Sequence, residues 1–172
     1  MSDEIATDNP TREEMAKVLG KNPSGLFILT ASNGEGLETG MLASWVQQAS
    51  FDPPAVTVAV NQKRYLHDWI KQQPNVVLNL VGEKQNEFLK QYGRGFEPEE
   101  PAFEGMDVGR TAQDLPYLKG ALGYLEGKVI NQLESGDHIV YLVEITSAGI
   151  ENHDDFQAAS PWVHIRKNGF NY

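Results

Sequence analysis

Residues 44–60 read SWVQQASFDPPAVTVAV, and the fold turns on how this stretch is understood. Its composition is that of sheet, yet Pro53 and Pro54 cannot donate backbone hydrogen bonds, so it is not one continuous interior strand. Two readings are open. As structure, Asp52-Pro53-Pro54 is a stiff turn into the next strand. As function, a strand that stops pairing leaves backbone amides free around Ser44, Trp45, Ser50 and Phe51, where an acceptor-rich heteroaromatic ring can use them. Periodicity does not choose between the two.

Downstream of the prolines, AVTVAV (55–60) is continuous and β-branched, which predicts a central strand covered on both faces. Upstream, GLFILTAS (25–32) stops at Asn33-Gly34-Glu35-Gly36, a hairpin composition, and a second strand is expected from about Thr39 to Gln48. Leu66, Trp69 and Ile70 recur at helical spacing before Pro74, then NVVLNLVG (75–82) reads as strand. Phe88, Leu89 and Tyr92 mark a short helix ending at Gly93. Residues 93–120 lack periodicity and read as a long loop, a candidate lid.

Two long strands follow, about Gly123 to Glu134 and Asp137 to Ser147, with Ser135-Gly136 as the turn. Leu125, Val129 and Leu133 alternate on the first, and Ile139, Tyr141, Val143 and Ile145 on the second. The tail PWVHIRKNGFNY supplies one more strand. Near the N-terminus, Thr11 and Glu14 form a capping box, predicting a helix from about Arg12 to Leu19 stopped by Gly20. The reading is therefore mainly β: six or seven hairpin-linked strands in a barrel with short peripheral helices. It treats residues 1–172 as one domain, with 1–20 as a helical extension.

A chain of 172 residues buries roughly 70% of the surface its unfolded form exposes, enough for a core without covalent staples. Cysteine is absent, which excludes disulfides, thiolate nucleophiles and cysteine-ligated metal centres and fits a reducing compartment. A net charge of -10 repels a phosphate backbone, so nucleic acid is not an expected partner. The start MSDEIATDNPTREEM lacks the basic and apolar regions of a secretory signal, and no segment has membrane-spanning length. The expectation is a soluble, cytoplasmic protein.

His67, His138, His153 and His164 show none of the spacings that hold a metal, and no GxSxG elbow is present. Gly20 and Gly25 stand five apart as in a P-loop, but no Lys-Ser or Lys-Thr follows. Gly93-Arg94-Gly95 begins like a dinucleotide fingerprint, yet it follows a helix and lacks the third glycine. Lys63-Arg64 remains, placed where the strand ending VAVN hands over to a helix. Cations with free amides there suit a phosphate; a solvated pair at a helix start, where positive charge is mildly unfavourable, is the plain alternative.

Taken together, GMLASWVQQASFDPPAVTVAVNQKR, VLNLVGE, PYLKGALGYLEGKV, ESGDHIVYLVEI and HIRKNGFNY resemble, in that order, the flavin reductase-like FMN-binding domains. The likeness runs from about Lys21 to Tyr172 and is nearest to the C-terminal flavin-reductase module of cyanobacterial-type flavodiiron proteins. It implies an FMN-binding split β-barrel, usually a homodimer, that binds FMN or FAD and takes hydride from NADH or NADPH, with a partner oxygenase as one recipient of reduced flavin. A flavin-binding electron carrier without reductase activity is the alternative.

Carried over position by position, the resemblance places Ala43, Ser44, Trp45 and Val46 along the isoalloxazine ring. Ser50 and Phe51 would meet the ribityl chain and ring edge, and Lys63 with Arg64 the phosphate. Asp137 and His138 would lie where nicotinamide stacks, with His138 the candidate catalytic residue, and Arg166 and Tyr172 would close the pocket. No metal site is implied. Trp45 is bulkier than the residue many stand-alone reductases carry there, which favours tightly held FMN. Only the reductase-like unit is visible in the sequence, so no diiron chemistry carries over.

Overall fold

In chain order, the computed structural model, which describes residues 10–171, contains α1 (Pro10–Gly20), β1 (Ser24–Gly25), β2 (Phe27–Ser32), β3 (Glu38–Ala43), β4 (Val46–Phe51) and β5 (Pro54–Asn61). Then come α2 (Leu66–Gln72), β6 (Asn75–Leu80), α3 (Asn86–Tyr92), β7 (Val108–Arg110), β8 (Pro116–Leu118), β9 (Gly123–Ser135), β10 (His138–Gly149), α4 (His153–Ala158) and β11 (Val163–His164). Seven strands form one antiparallel sheet in the order β3-β2-β6-β9-β10-β5-β4. The outermost strands, β3 and β4, are neighbours in the chain, joined only by Ser44 and Trp45. The sheet must therefore curl until its two edges meet, which makes a barrel with a split at that joint. The Ala59 N–H donates to the Trp45 carbonyl at 3.0 Å and fastens the joint to β5.

The barrel closes on apolar side chains spaced two apart along each strand. Val56, Val58 and Val60 of β5 meet Tyr141 and Val143 of β10 and Leu29, Val76 and Leu78 across the interior, and Leu66, Trp69 and Ile70 of α2 plug one end. A second cluster lies outside β2 and β6, where Leu26, Ile28 and Val81 pack under Phe88 and Tyr92 of α3 and under Ala102 and Leu118.

Residues 93–120 are for the most part irregular, as their weak periodicity suggests, but they are not a free loop. They carry the β7–β8 hairpin, clamped through buried Asn79: its amide NH2 donates to the Ile28 carbonyl at 2.9 Å, and its Oδ1 accepts from Leu118 N at 2.7 Å. Arg110 adds a forked ion pair with Glu38 of β3. Buried polar satisfaction, rather than an apolar stripe, holds this lobe, so it is a packed part of the body and not an open lid.

Several expectations change. The helix α1 already includes Thr11, so Thr11 is not its cap, and the helix runs through Gly20. The strand foreseen from Thr39 to Gln48 is two strands, broken at Ser44-Trp45. β5 is second from an edge, not central: Val56, Val58 and Val60 face the core while Thr57 and Ala59 stay partly open. Pro54 is paired, opposite Phe51, and Asp52-Pro53 is a tight turn with a cis peptide bond. A proline at the first residue of a strand costs no ladder bond its neighbour needs. The prolines thus make a hairpin and do not release Ser50 or Phe51 from pairing.

The long hairpin turns at Gly136-Asp137, with Gly136 at φ 59, one residue later than expected. Leu125 and Val129 pack on the core, but Leu133 is exposed. A register shift beside Leu142 inserts one residue into β9, and every later side chain changes face. The tail forms only the two-residue β11, paired with β1, and then clasps α1: Arg166 N donates to Gly20 O at 2.9 Å and Gly169 N to Ala16 O at 2.7 Å. Tyr172 lies outside the described residues.

Candidate functional site

The barrel's joint is where strands end, and three adjoining clefts open there. One, of about 280 Å³, is lined by Met41, Leu42, Ala43, Ser44, Asn61, Arg64, Leu89 and Gly93 among others. A second, of about 360 Å³, is lined by Trp45, Asn61, Asp137, His138, Arg166 and the 169–171 segment. The third, of about 490 Å³, adds Val46, Thr57 and Val140. Ser44 belongs to the first and third, Asn61 to the first and second, and Trp45 and Arg166 to the second and third, so the three form one continuous groove around residues 44 and 45.

One end of the groove is cationic. Asn61, the last residue of β5, braces the turn that follows: its Oδ1 accepts from Lys63 N at 3.0 Å and its carbonyl from Arg64 N at 3.1 Å. Those amides are therefore engaged, contrary to the expectation of free amides at this junction, and any anion would be met by side chains. The same carbonyl accepts from Nε2 of buried His67 at 2.8 Å, so that ring's Nδ1 accepts from Tyr141 O–H at 2.6 Å. This interior relay fixes the turn from below. Lys63 is exposed and Arg64 half-buried at the groove wall.

Beside the turn, an indole and an imidazole pack at a tilt. His138 begins β10 directly opposite Asn61. Its ring centroid lies 4.7 Å from that of Trp45, and Arg166 Cζ lies 5.0 Å from the Trp45 ring, so Trp45 packs with both an imidazole and a guanidinium. His138 is only 6% exposed, although it stands at the start of its strand. Its Nδ1 lies 2.6 Å from Asp137 Oδ1. The hydrogen bond from His138, helped by the nearby charge of Lys63, holds the Asp137 carboxyl below its ordinary pKa, so an ionised acceptor faces Nδ1–H. The remaining nitrogen, Nε2, is buried without a partner. An orphaned buried polar atom beside a cleft is costly, which marks it for a functional explanation.

Ala43, Ser44, Trp45, Val46, Arg64, Asp137, His138 and Arg166 therefore come together around one groove, with Lys63 beside it. Ser50 and Phe51 do not line it: they sit at the far end of β4, four and five residues beyond Val46, roughly 13 Å or more along the strand, and Phe51 is 90% exposed. Sequence reasoning missed Asn61, whose signal was a polar residue ending an apolar strand, and the wall residues Met41, Leu42 and Leu89, which read as ordinary core. Among the described residues no cluster of His, Asp and Glu could hold a metal ion, and no helix is long and apolar enough to cross a membrane.

Comparison with known proteins agrees with this architecture. Residues 19–170 match the family described as "Flavin reductase like domain". Over 160 residues the chain is 34% identical to diflavin flavoprotein A 1 of Synechocystis, covering 92% of this chain and 27% of that protein. It spans about a quarter of the length of such relatives. Its fold superposes on the NADH:FAD oxidoreductase SgcE6 of Streptomyces globisporus with a TM-score of 0.79 at 21% identity, covering 93% and 92% of the two chains. The flavin reductase of the Pseudomonas putida styrene monooxygenase gives 0.73 at 23% identity, covering 88% and 92%. With the match extending over nearly its whole length, the chain belongs to the flavin reductase-like domain family.

Proposed function

We propose that this protein is an NAD(P)H-dependent flavin reductase that binds FMN, with FAD a possible substitute, in the groove around Ser44 and Trp45. The observation that carries the reading is the groove itself, whose lining brings together Ser44, Trp45, Arg64 and His138, the last with a buried Nε2 that has no partner. Bound flavin would accept a hydride at N5 from the nicotinamide C4. The chain's own task is to hold one ring and leave the other face open. Ala43, Ser44, Trp45 and Val46 form the wall for the flavin ring. Lys63 and Arg64 meet its phosphate, and Arg166 closes the groove over Trp45.

His138 acts through Nε2. With Nδ1 engaged by Asp137, Nε2 is the ring nitrogen left for a nicotinamide carboxamide, which offers both a donor and an acceptor. Phe51, Ile130 and Leu133 are exposed apolar side chains on β4 and β9, an arrangement that supports pairing with a second copy, which would also bring Ser50 and Phe51 against a flavin across the interface. Delivery of reduced flavin to a partner oxygenase is the use we propose for it, as the similar fold of a styrene monooxygenase flavin reductase suggests. The rival reading, an electron-carrying flavin module without reductase activity, is favoured by one fact: relatives such as diflavin flavoprotein A 1 are nearly four times as long as the matched region.

Flavin binding is tested by titrating the protein with FMN, FAD and riboflavin while following tryptophan fluorescence. Trp45 lines the groove, so FMN quenches emission, and Trp45→Phe removes much of the quench. If neither FMN nor FAD quenches emission or raises the melting temperature, both readings are wrong.

A further inference from the structure

The Gly93-Arg94-Gly95 loop failed as a nucleotide fingerprint, but the structure sets it against the cationic turn. Gly93 lines the same cleft as Arg64. Gly95 has φ 77, and a Cβ there would fall within contact distance of Arg64 Nη1 and 3.1 Å from its Cζ. The guanidinium of Arg64 thus lies in the space that the missing side chain leaves. Arg94, between the two glycines, is engaged elsewhere: it pairs with Glu100 at 3.4 Å and lies 5.5 Å over the Phe96 ring. Arg64 makes no ion pair among the described residues.

We infer that Gly95 is a positioning residue for anion recognition, holding the Arg64 guanidinium at the cleft wall by leaving room for it. The inference rests on the reading that Arg64 meets the flavin phosphate. Residues about thirty positions apart in sequence then form one anion seat: the 93–95 loop supplies the place and the 63–64 turn the charge. A side chain at residue 95 meets the movable end of an arginine and not rigid backbone, so the arginine yields. The fold keeps its packing, and the charge swings out of line. Backbone strain at the left-handed φ is the one added structural cost, smaller for Asn than for Ala.

The test is a double-mutant cycle on the full chain, measuring dissociation constants for FMN and for riboflavin, which lacks the phosphate. Displacing one charge-assisted contact with Gly95→Ala weakens FMN about tenfold and leaves riboflavin unchanged. In the Arg64→Ala background the same change has no further effect on FMN. If Gly95→Ala does not fold, Gly95→Asn, which tolerates that φ, shows the same pattern. Equal losses for both flavins, or an undiminished loss in the Arg64→Ala background, overturn the inference and leave Gly95 a backbone residue. If Arg64→Ala itself fails to distinguish FMN from riboflavin, the phosphate reading falls and the inference with it.

Discussion

Replacing Lys63 and Arg64 together with alanine is expected to weaken FMN binding roughly 10²-fold while riboflavin binds as before. A hydrogen bond to a charged group contributes about 1.5–3 kcal/mol. Lys63 is exposed and Arg64 only half-buried, so solvent screening puts each at the lower end; two such contacts give about 3 kcal/mol, or roughly 10² in affinity. The turn itself survives, because its bracing runs through Asn61 and His67 and uses neither cationic head. Loss of affinity should therefore appear without loss of melting temperature. FMN binding by the native protein should also weaken with added salt, and this dependence should flatten in the variant. Equal losses for FMN and riboflavin would contradict the assignment.

His138→Ala is expected to slow the reduction of bound flavin by NADH about 10²-fold, the scale at which a reacting pair held slightly out of line loses rate. The ring is fixed on three sides: by the β10 backbone, by Asp137 at Nδ1 and by the Trp45 face. Such a preorganised nitrogen orients a ligand at little entropic cost. Affinity for FMN should change far less, because the phosphate contacts are assigned to Lys63 and Arg64 and not to His138. Reduction of the same flavin by dithionite, which needs no nicotinamide geometry, should be unaffected. A variant that keeps the native NADH rate would show that His138 has only a packing role.

The barrel was legible because hairpins announce themselves locally. Asn33-Gly34-Glu35-Gly36 does connect β2 to β3, with Gly34 and Gly36 at positive φ, and Ile139, Tyr141, Val143 and Ile145 do face the core. What escaped were effects of distant partners. The break at Ser44-Trp45 carries no proline or glycine; it exists because the chain must pass from one sheet edge to the other. The exposure of Leu133 follows from a register shift that alternation within one strand does not reveal. The β7–β8 lobe depends on Asn79, thirty-nine residues before the amide it binds. In the groove, composition marked Lys63-Arg64, and resemblance supplied the flavin and the place of His138. Neither pointed to Asn61 or Gly95, whose importance lies in what they brace or leave empty.

The prolines illustrate the difference. Read alone, they leave open a stiff turn or amides released for a ligand. The structure assigns them to a hairpin, and the break that opens the groove falls nine residues earlier, where β3 becomes β4.

The most direct test of the central claim is anaerobic addition of NADH, and separately NADPH, to the protein loaded with FMN. The account predicts rapid loss of the oxidised-flavin absorbance with one of the two, much faster than for the same FMN free in solution. An absorbance that stays unchanged with both, in protein that has demonstrably bound FMN, would contradict it and leave a flavin-binding electron carrier.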